Sequence, residues 1–166
     1  MKNEAKTQLR KIIADYDEKL AEAERAEAAK RAAHAAFPER FATLRTETIR
    51  PAIQEIADLL NERGHKASVH EQEEASSAEG GVKSAAVSLR VVPKPFTHKV
   101  SETSAIEITF SANRSERKVA VSSSNTMMSP GGSVGKRGEY EVDAVTADVV
   151  ASHAIQTLSE AFGGKR

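Results

Sequence analysis

The stretch NTMMSPGGSVGKRGE, residues 125–139, gathers the residue types best able to do chemistry: paired glycines, a serine among glycines, then Gly135-Lys136. A phosphate-binding P-loop needs a glycine, four residues, then Gly-Lys-Ser/Thr, placed between a strand and a helix. The backbone amides and the lysine then meet the phosphates, and the hydroxyl holds magnesium. Counting back from Gly135, the first glycine position is Pro130, and the hydroxyl position after Lys136 is Arg137. The residues beyond alternate as a strand, so no helix N-terminus faces a phosphate. Three requirements fail, and no nucleotide cofactor is expected. "GGSVG", with Ser133 at its centre, has the look of a nucleophile elbow, but that device sits at a strand-to-helix turn and no helix follows. A hairpin loop over 125–138 is the simpler reading, because glycines open many backbone states. Met127 and Met128 beside Lys136 and Arg137 would give such a loop a soft apolar and basic contact patch for a partner.

Other chemistry is equally thin. His34, His65, His70, His98 and His153 include no i,i+4 pair framing a carboxylate and match no zinc pattern. His70 with Glu71, Glu73 and Glu74 could bind a metal weakly, but reads as a solvated acidic loop. His153 reads as a helix-flank histidine rather than a general base. Ser122, Ser123 and Ser124 lie together without a motif, and no carboxylate pair stands out for glycosidase chemistry. No catalytic, cofactor-binding or metal-ligating residue is therefore assigned, and no cofactor is expected.

Composition narrows the classes further. Lys and Arg number 24, as do Asp and Glu, so a net charge of zero gives no general pull toward nucleic acid or anionic membrane. The absence of cysteine excludes disulfides, thiolate metal sites and cysteine nucleophiles. The opening residues are charged throughout, and no run approaches 18 apolar residues, which reads as a soluble cytoplasmic protein without membrane contact. Hydrophobic residues make up 39% but aromatics only 4%, so much of the apolar share is alanine and much of the chain should be helix with a thin packing stripe.

The elements that must carry these residues follow from periodicity. From Lys6 to Phe37 nothing breaks a helix, and apolar residues recur at Leu9, Ile12, Ile13, Tyr16, Leu20, Ala23, Ala26, Ala29 and Ala33, close to period 3.5. Nine of the sixteen residues from Ala21 to Ala36 are alanine, the strongest helix former. Such a helix forms readily but has little to bury alone. It should pack on a second helix of the same chain or on a second copy. Phe37-Pro38 should end it, since a proline biases the preceding residue away from the helical region. A second helix then runs through Phe41, Leu44, Ile49, Ile53, Ile56 and Leu60 to Gly64; Pro51 either kinks it, the favoured reading because the stripe keeps its phase, or restarts it after Thr48. Beyond Gly64 the period becomes two. KASVHEQ, SAAVSLRVV, SAIEITFS, RKVAVSSS and GEYEV predict four or five antiparallel strands. One face is apolar (Ala85, Val87, Leu89, Val91; Ile106, Ile108, Phe110; Val119, Val121) and the other is flat and rich in Ser, Thr and Ala. EASSAEGG, residues 74–81, reads as a mobile loop. Thr146 should cap a last helix whose stripe is Val150, Ala154, Ile155, Leu158 and Phe162.

The expected fold is α+β: a long N-terminal helix or helical hairpin, then a mostly antiparallel sheet of four to five strands closed by a C-terminal helix. Residues 1–37 form a coiled-coil-like helical appendage and 38–166 an α+β domain. The expected function is a non-catalytic interaction or oligomerisation module. It would self-associate through Leu9, Ile13, Tyr16 and Leu20 and present the sheet face or the 125–138 loop, with Met127, Met128, Lys136 and Arg137, to an unidentified protein. A nucleic-acid-associated regulator using the basic loops is the alternative, and an enzyme of unidentified chemistry stands third. The failed P-loop yields a direct test. Calorimetric titration with ATP or GTP, with or without magnesium, should show no saturable heat. A dissociation constant at or below about 100 µM, abolished by Lys136→Ala, would restore the phosphate reading.

Overall fold

The structure, a computed structural model, describes residues 3–94, 105–126 and 133–163. The chain divides into two compact units, Met1–Phe37 and Pro38–Arg166. Helix α1 spans Asn3–Leu44 and passes through Pro38. The break expected at Phe37-Pro38 is absent, and with it the hairpin turn. A proline removes one N–H and crowds the turn before it, but the bias it imposes on its neighbour is not a prohibition. Here alanine-rich sequence precedes it, and Phe37, Phe41 and Leu44 are all buried.

The interruption comes later. Arg45–Ile49 form one π turn, in which the Arg50 N–H bonds the Arg45 carbonyl, and α2 follows over Arg50–Glu62 with Pro51 in its first turn. The cause is visible in the spacing. Phe41, Arg45, Ile49, Ile53 and Ala57 are all buried and all four residues apart. In an α-helix each such step drifts about 40° around the axis, so a strict four-residue repeat would leave the core. The wider π turn takes up that drift. Pro51 then needs no kink, because it falls where a helix start has no N–H to satisfy.

The other end of α2 closes as the sequence predicts. Gly64 has φ +84°, its N–H bonds the Asn61 carbonyl at 2.9 Å, and the His65 N–H bonds the Leu60 carbonyl at 3.0 Å, which is a Schellman closure. The Asn61 side chain then turns to the first strand. Its amide donates to the Ala67 carbonyl at 3.0 Å and its oxygen accepts the Ala67 N–H at 2.8 Å.

The strands are β1 Lys66–Gln72, β2 Ala75–Ser76, β3 Val82–Lys83, β4 Ala86–Val92, β5 Ile106–Asn113, β6 Lys118–Asn125 and β7 Ser133–Glu141. Five of them form an antiparallel sheet in the order β1-β4-β5-β6-β7, so each long strand lies beside the one before it. Two expectations change here. Residues 74–81 belong largely to a small β2–β3 hairpin, held by Ser77, whose N–H bonds the Gly81 carbonyl and whose Oγ accepts the Gly81 N–H. The expected loop 125–138 is strand from Ser133 onward, because Val134 and Lys136 pair across β6 with Ser124 and Ser122.

Alternation puts Val87, Leu89, Val91, Ile106, Ile108, Phe110, Val119 and Val121 on one buried face. Helix α2 lies against β1, β4 and α3, the last helix, Ala147–Gly163, which lies against β5 as well. The Thr146 hydroxyl accepts the Val149 N–H at 3.3 Å, as its capping role requires. The buried stripe of α3 is Val150, His153, Ala154, Thr157 and Leu158. Ile155, expected in that stripe, faces solvent, and Phe162 is half exposed and stacks on His65 with ring centres 5.4 Å apart. The fold is α+β, a long N-terminal helix followed by a sheet and a C-terminal helix. Among the described residues no helix is long and apolar enough to cross a membrane.

The two helical positions separate in a stability measurement. Leu158→Ala should cost on the order of 2–5 kcal/mol in urea unfolding, while Ile155→Ala should stay within about 0.5 kcal/mol. Equal effects would show that α3 seats on the sheet by a different face.

Candidate functional site

The first candidate surface lies in the N-terminal unit. Leu9, Ile12, Ile13, Tyr16 and Leu20 are between 47% and 65% exposed, and their three- and four-residue spacing sets them on one side of α1. Those values leave about half or more of each apolar residue in water although the helix is fully formed. Along the alanine-rich part, Glu27 and Arg31 form an i,i+4 pair at 3.4 Å. The expected residues Leu9, Ile13, Tyr16 and Leu20 thus share one exposed stripe.

The second candidate is the sheet face turned away from α2 and α3. Strand register brings its residues into rows: Ser68, Arg90, Glu107 and Ser124; then His70, Ser88, Thr109, Ser122 and Lys136; then Gln72, Ala86, Ser111, Ala120 and Glu139. In the second and third rows small side chains fill the middle between His70 or Gln72 at one margin and Lys136 or Glu139 at the other, whereas the first row carries Arg90 and Glu107 at its centre and ends on Val134. A polar groove of about 400 Å³ crosses the β1–β4–β5 side, lined by His70, Gln72, Ser88, Glu107, Thr109 and Ser111 among others. His70 is turned to the Ser68 hydroxyl at 2.9 Å.

The acidic residues at the end of β1 and just after it are exposed, as a solvated run would be, and each is also paired with an arginine. Glu71 meets Arg50 at 3.4 Å, Glu73 meets Arg45 at 2.5 Å, and Glu74 meets Arg114 at 2.6 Å. Arg45 is buried and also donates to the Gln72 carbonyl at 3.1 Å. Three cations from α2, the π turn and the β5–β6 hairpin therefore hold one short connection. Among the described residues no three His, Asp or Glu side chains are grouped as a metal site. His98 lies outside them.

Lys136 and Arg137 are neighbours in sequence but part company in space. A bulge in β7 pairs Val121 with Gly138 and Ser122 with Lys136, leaving Arg137 as the extra residue. Bulges redirect a side chain in this way. Lys136 stays on the open face and meets Glu139 at 3.0 Å. Arg137 turns to the covered face, where Nε donates to the Ser123 hydroxyl at 2.6 Å and the two terminal nitrogens grip Glu160 of α3 at 3.0 and 2.5 Å. Of the two glycines that flank Lys136 and Arg137, Gly138 makes room for the Tyr140 ring, whereas a Cβ on Gly135 would meet nothing within 4 Å. A Cβ on Gly138 would come within 3.0 Å of the Tyr140 ring. Met127 and Met128 lie outside the described residues, so the structure places only the basic half of the expected patch and divides that half between two faces. Ser133 is the first residue of β7, not the apex of a strand-to-helix turn.

Beside Arg137 sits a buried histidine that periodicity alone had put on a helix flank. His153 Nε2 hydrogen-bonds the Tyr140 hydroxyl at 2.7 Å, and its ring meets Tyr140 and Phe110 edge-on. Burial, and secondarily the charge of Arg137, lower its pKa from the usual 6.5. The imidazole is held neutral by desolvation, with Nε2 already engaged. Arg137, and secondarily Gln156, holds the Glu160 carboxyl below the usual 4.5. Sequence reading missed these partners because a bulge leaves no mark in a hydropathy pattern, although glycines at 135 and 138 around a single arginine are a faint one. For Arg45 the signal was present, four residues after Phe41 and four before Ile49.

No protein-family model, curated protein or solved structure matches this chain.

The His153 environment sets a pH dependence. Its folded pKa lies below its unfolded value, so between the two the unfolded chain binds a proton that the folded chain refuses. Stability should therefore be complete with respect to this group above pH 6.5 and fall as pH drops through the window below it. His153→Gln should flatten that part of the profile and leave the acid limb of Glu160, which begins near 4.5, in place. An unchanged slope just below pH 6.5 in His153→Gln would mean that His153 contributes nothing to the pH dependence of folding.

Proposed function

We propose that this protein is a non-catalytic interaction module that self-associates through its N-terminal helix and offers the open sheet face to a protein partner. One observation carries the reading: five large apolar side chains stand in a stripe on a formed helix and remain about half or more exposed. An isolated helix gains little from its own propensity, and its apolar face is ordinarily covered by packing. Leu9, Ile13, Tyr16 and Leu20 are the residues assigned to contact. The flat hydroxyl-rich face is the second contact region, without a chemical role for its serines.

The nucleic-acid reading draws less support. Arg114, Lys136 and Arg137, three of the cations it would use, each meet a carboxylate within 3.0 Å. Arg114 lies in the turn between β5 and β6, whereas Lys136 pairs with Ser122 in the middle of β6 and Arg137 is the bulged residue beside it. They do not make one basic surface of the kind phosphate binding uses.

Sedimentation equilibrium on the full chain tests the proposal. The wild type should show a mass above the monomer at tens of micromolar. The triple variant Leu9→Gln, Ile13→Gln, Leu20→Gln should return to the monomer mass with its urea midpoint little changed. A wild type that stays monomeric at high micromolar concentration sinks the reading. A variant that keeps its mass moves the interface elsewhere.

A further inference from the structure

We propose that the second copy joins α1 antiparallel, with Leu9 of each helix against Leu20 of the other and Ile13 against Tyr16. This rests on the self-association reading above and adds the geometry of the partner. The stripe Leu9, Ile13, Tyr16, Leu20 and Ala23 advances by four, three, four and three residues, the seam of a two-stranded coiled coil. Followed in either direction, the same seam becomes charged. Lys6 precedes it, and Glu27, Lys30 and His34 succeed it.

That change of character decides the direction. Parallel helices in register set every seam residue against its own copy. Glu27 would face Glu27, Lys30 would face Lys30, and Lys6 would face Lys6, each a like-charge pair at the centre of the coil. Tyr16 would also meet Tyr16 in one crowded layer. Antiparallel helices centred between Ile13 and Tyr16 pair the apolar stripe with itself. Lys6 then faces Ala23 of the other copy, and neither Lys6, Glu27 nor Lys30 meets its own counterpart.

The flanks agree with this arrangement. Arg10 and Asp17 hold the same flanking position, one residue after Leu9 and Tyr16, and both are exposed. Antiparallel pairing brings Arg10 of each copy to Asp17 of the other, so the attraction is formed twice. On the opposite flank Lys19 lays its aliphatic stem over Ile12. The parallel coil has an attractive pair of its own, Lys19 with Glu24. The flanks alone are therefore balanced, and the seam charges tip the choice.

The chain has no cysteine, so single nitroxide labels can be attached to introduced cysteines in the full-length protein. Glu4 and Arg25 are exposed and lie on the outer side of α1, away from the seam. Arg25→Cys labelled alone should give a dipolar distance near 4 nm, because antiparallel overlap separates the two labels along the axis by about 21 residues at ~1.5 Å each. A mixture of labelled Arg25→Cys and labelled Glu4→Cys should add a shorter distance of about 2–3 nm, since those sites fall at one level. The opposite pattern, with Arg25 labels about 2–3 nm apart and the mixed pair far, would overturn the antiparallel geometry while leaving self-association intact. Absence of any dipolar coupling, together with a monomer mass by sedimentation, would remove self-association itself.

Discussion

Alternation of apolar side chains along β4, β5 and β6 gives the sheet one greasy face, and covering that face is the constraint on which the Pro38–Arg166 unit depends. Eight large side chains from three strands are buried there, and α2 and α3 both lie over it. Because strands expose successive residues on opposite sides, the residues between them had to suit water. They are mostly Ser, Thr, Ala and charged residues. The flat open face is thus the necessary counterpart of the core, and its chemistry is spare because its side chains are small.

Two departures from regular backbone do similar work at opposite sides of this core. The π turn keeps a four-residue repeat in phase and so carries Arg45 inward to the Gln72 carbonyl and Glu73. The bulge in β7 adds one residue and so turns Arg137 inward to Ser123 and Glu160. In each case an arginine at the irregularity fastens a neighbouring element by a charge-assisted bond. Irregular backbone often marks a ligand site. Here both irregularities are explained by the contacts that they make within the fold.

Most of the architecture was legible because it rests on period. Four of the five long strands, the end of β7, the Schellman glycine at 64, the Thr146 cap and the core faces of β4 to β6 follow from alternation and end signals. What escaped notice depends on contacts between distant residues. Pro38 reads as a stop until Phe37, Phe41 and Leu44 are seen to be buried. Ile155 reads as core until the helix is seated, when His153 and Thr157 take that side. Among the candidate interface residues, the exposed stripe of α1 was legible because a helix without breakers fixes which side chains align. Arg137 was not, since one inserted residue reverses the face of a strand side chain. Met127 and Met128 lie outside the described residues.

The Asn61 amide makes two hydrogen bonds to Ala67, one to each backbone group, as a neighbouring strand would. It therefore occupies a stretch of the β1 margin that could otherwise template an incoming chain. At the opposite margin, the β7 bulge breaks the even spacing that a docking strand would have to match. Exposed margins are where sheets polymerise into fibrils. A sheet obstructed at both margins carries less risk of open-ended growth when the protein is concentrated.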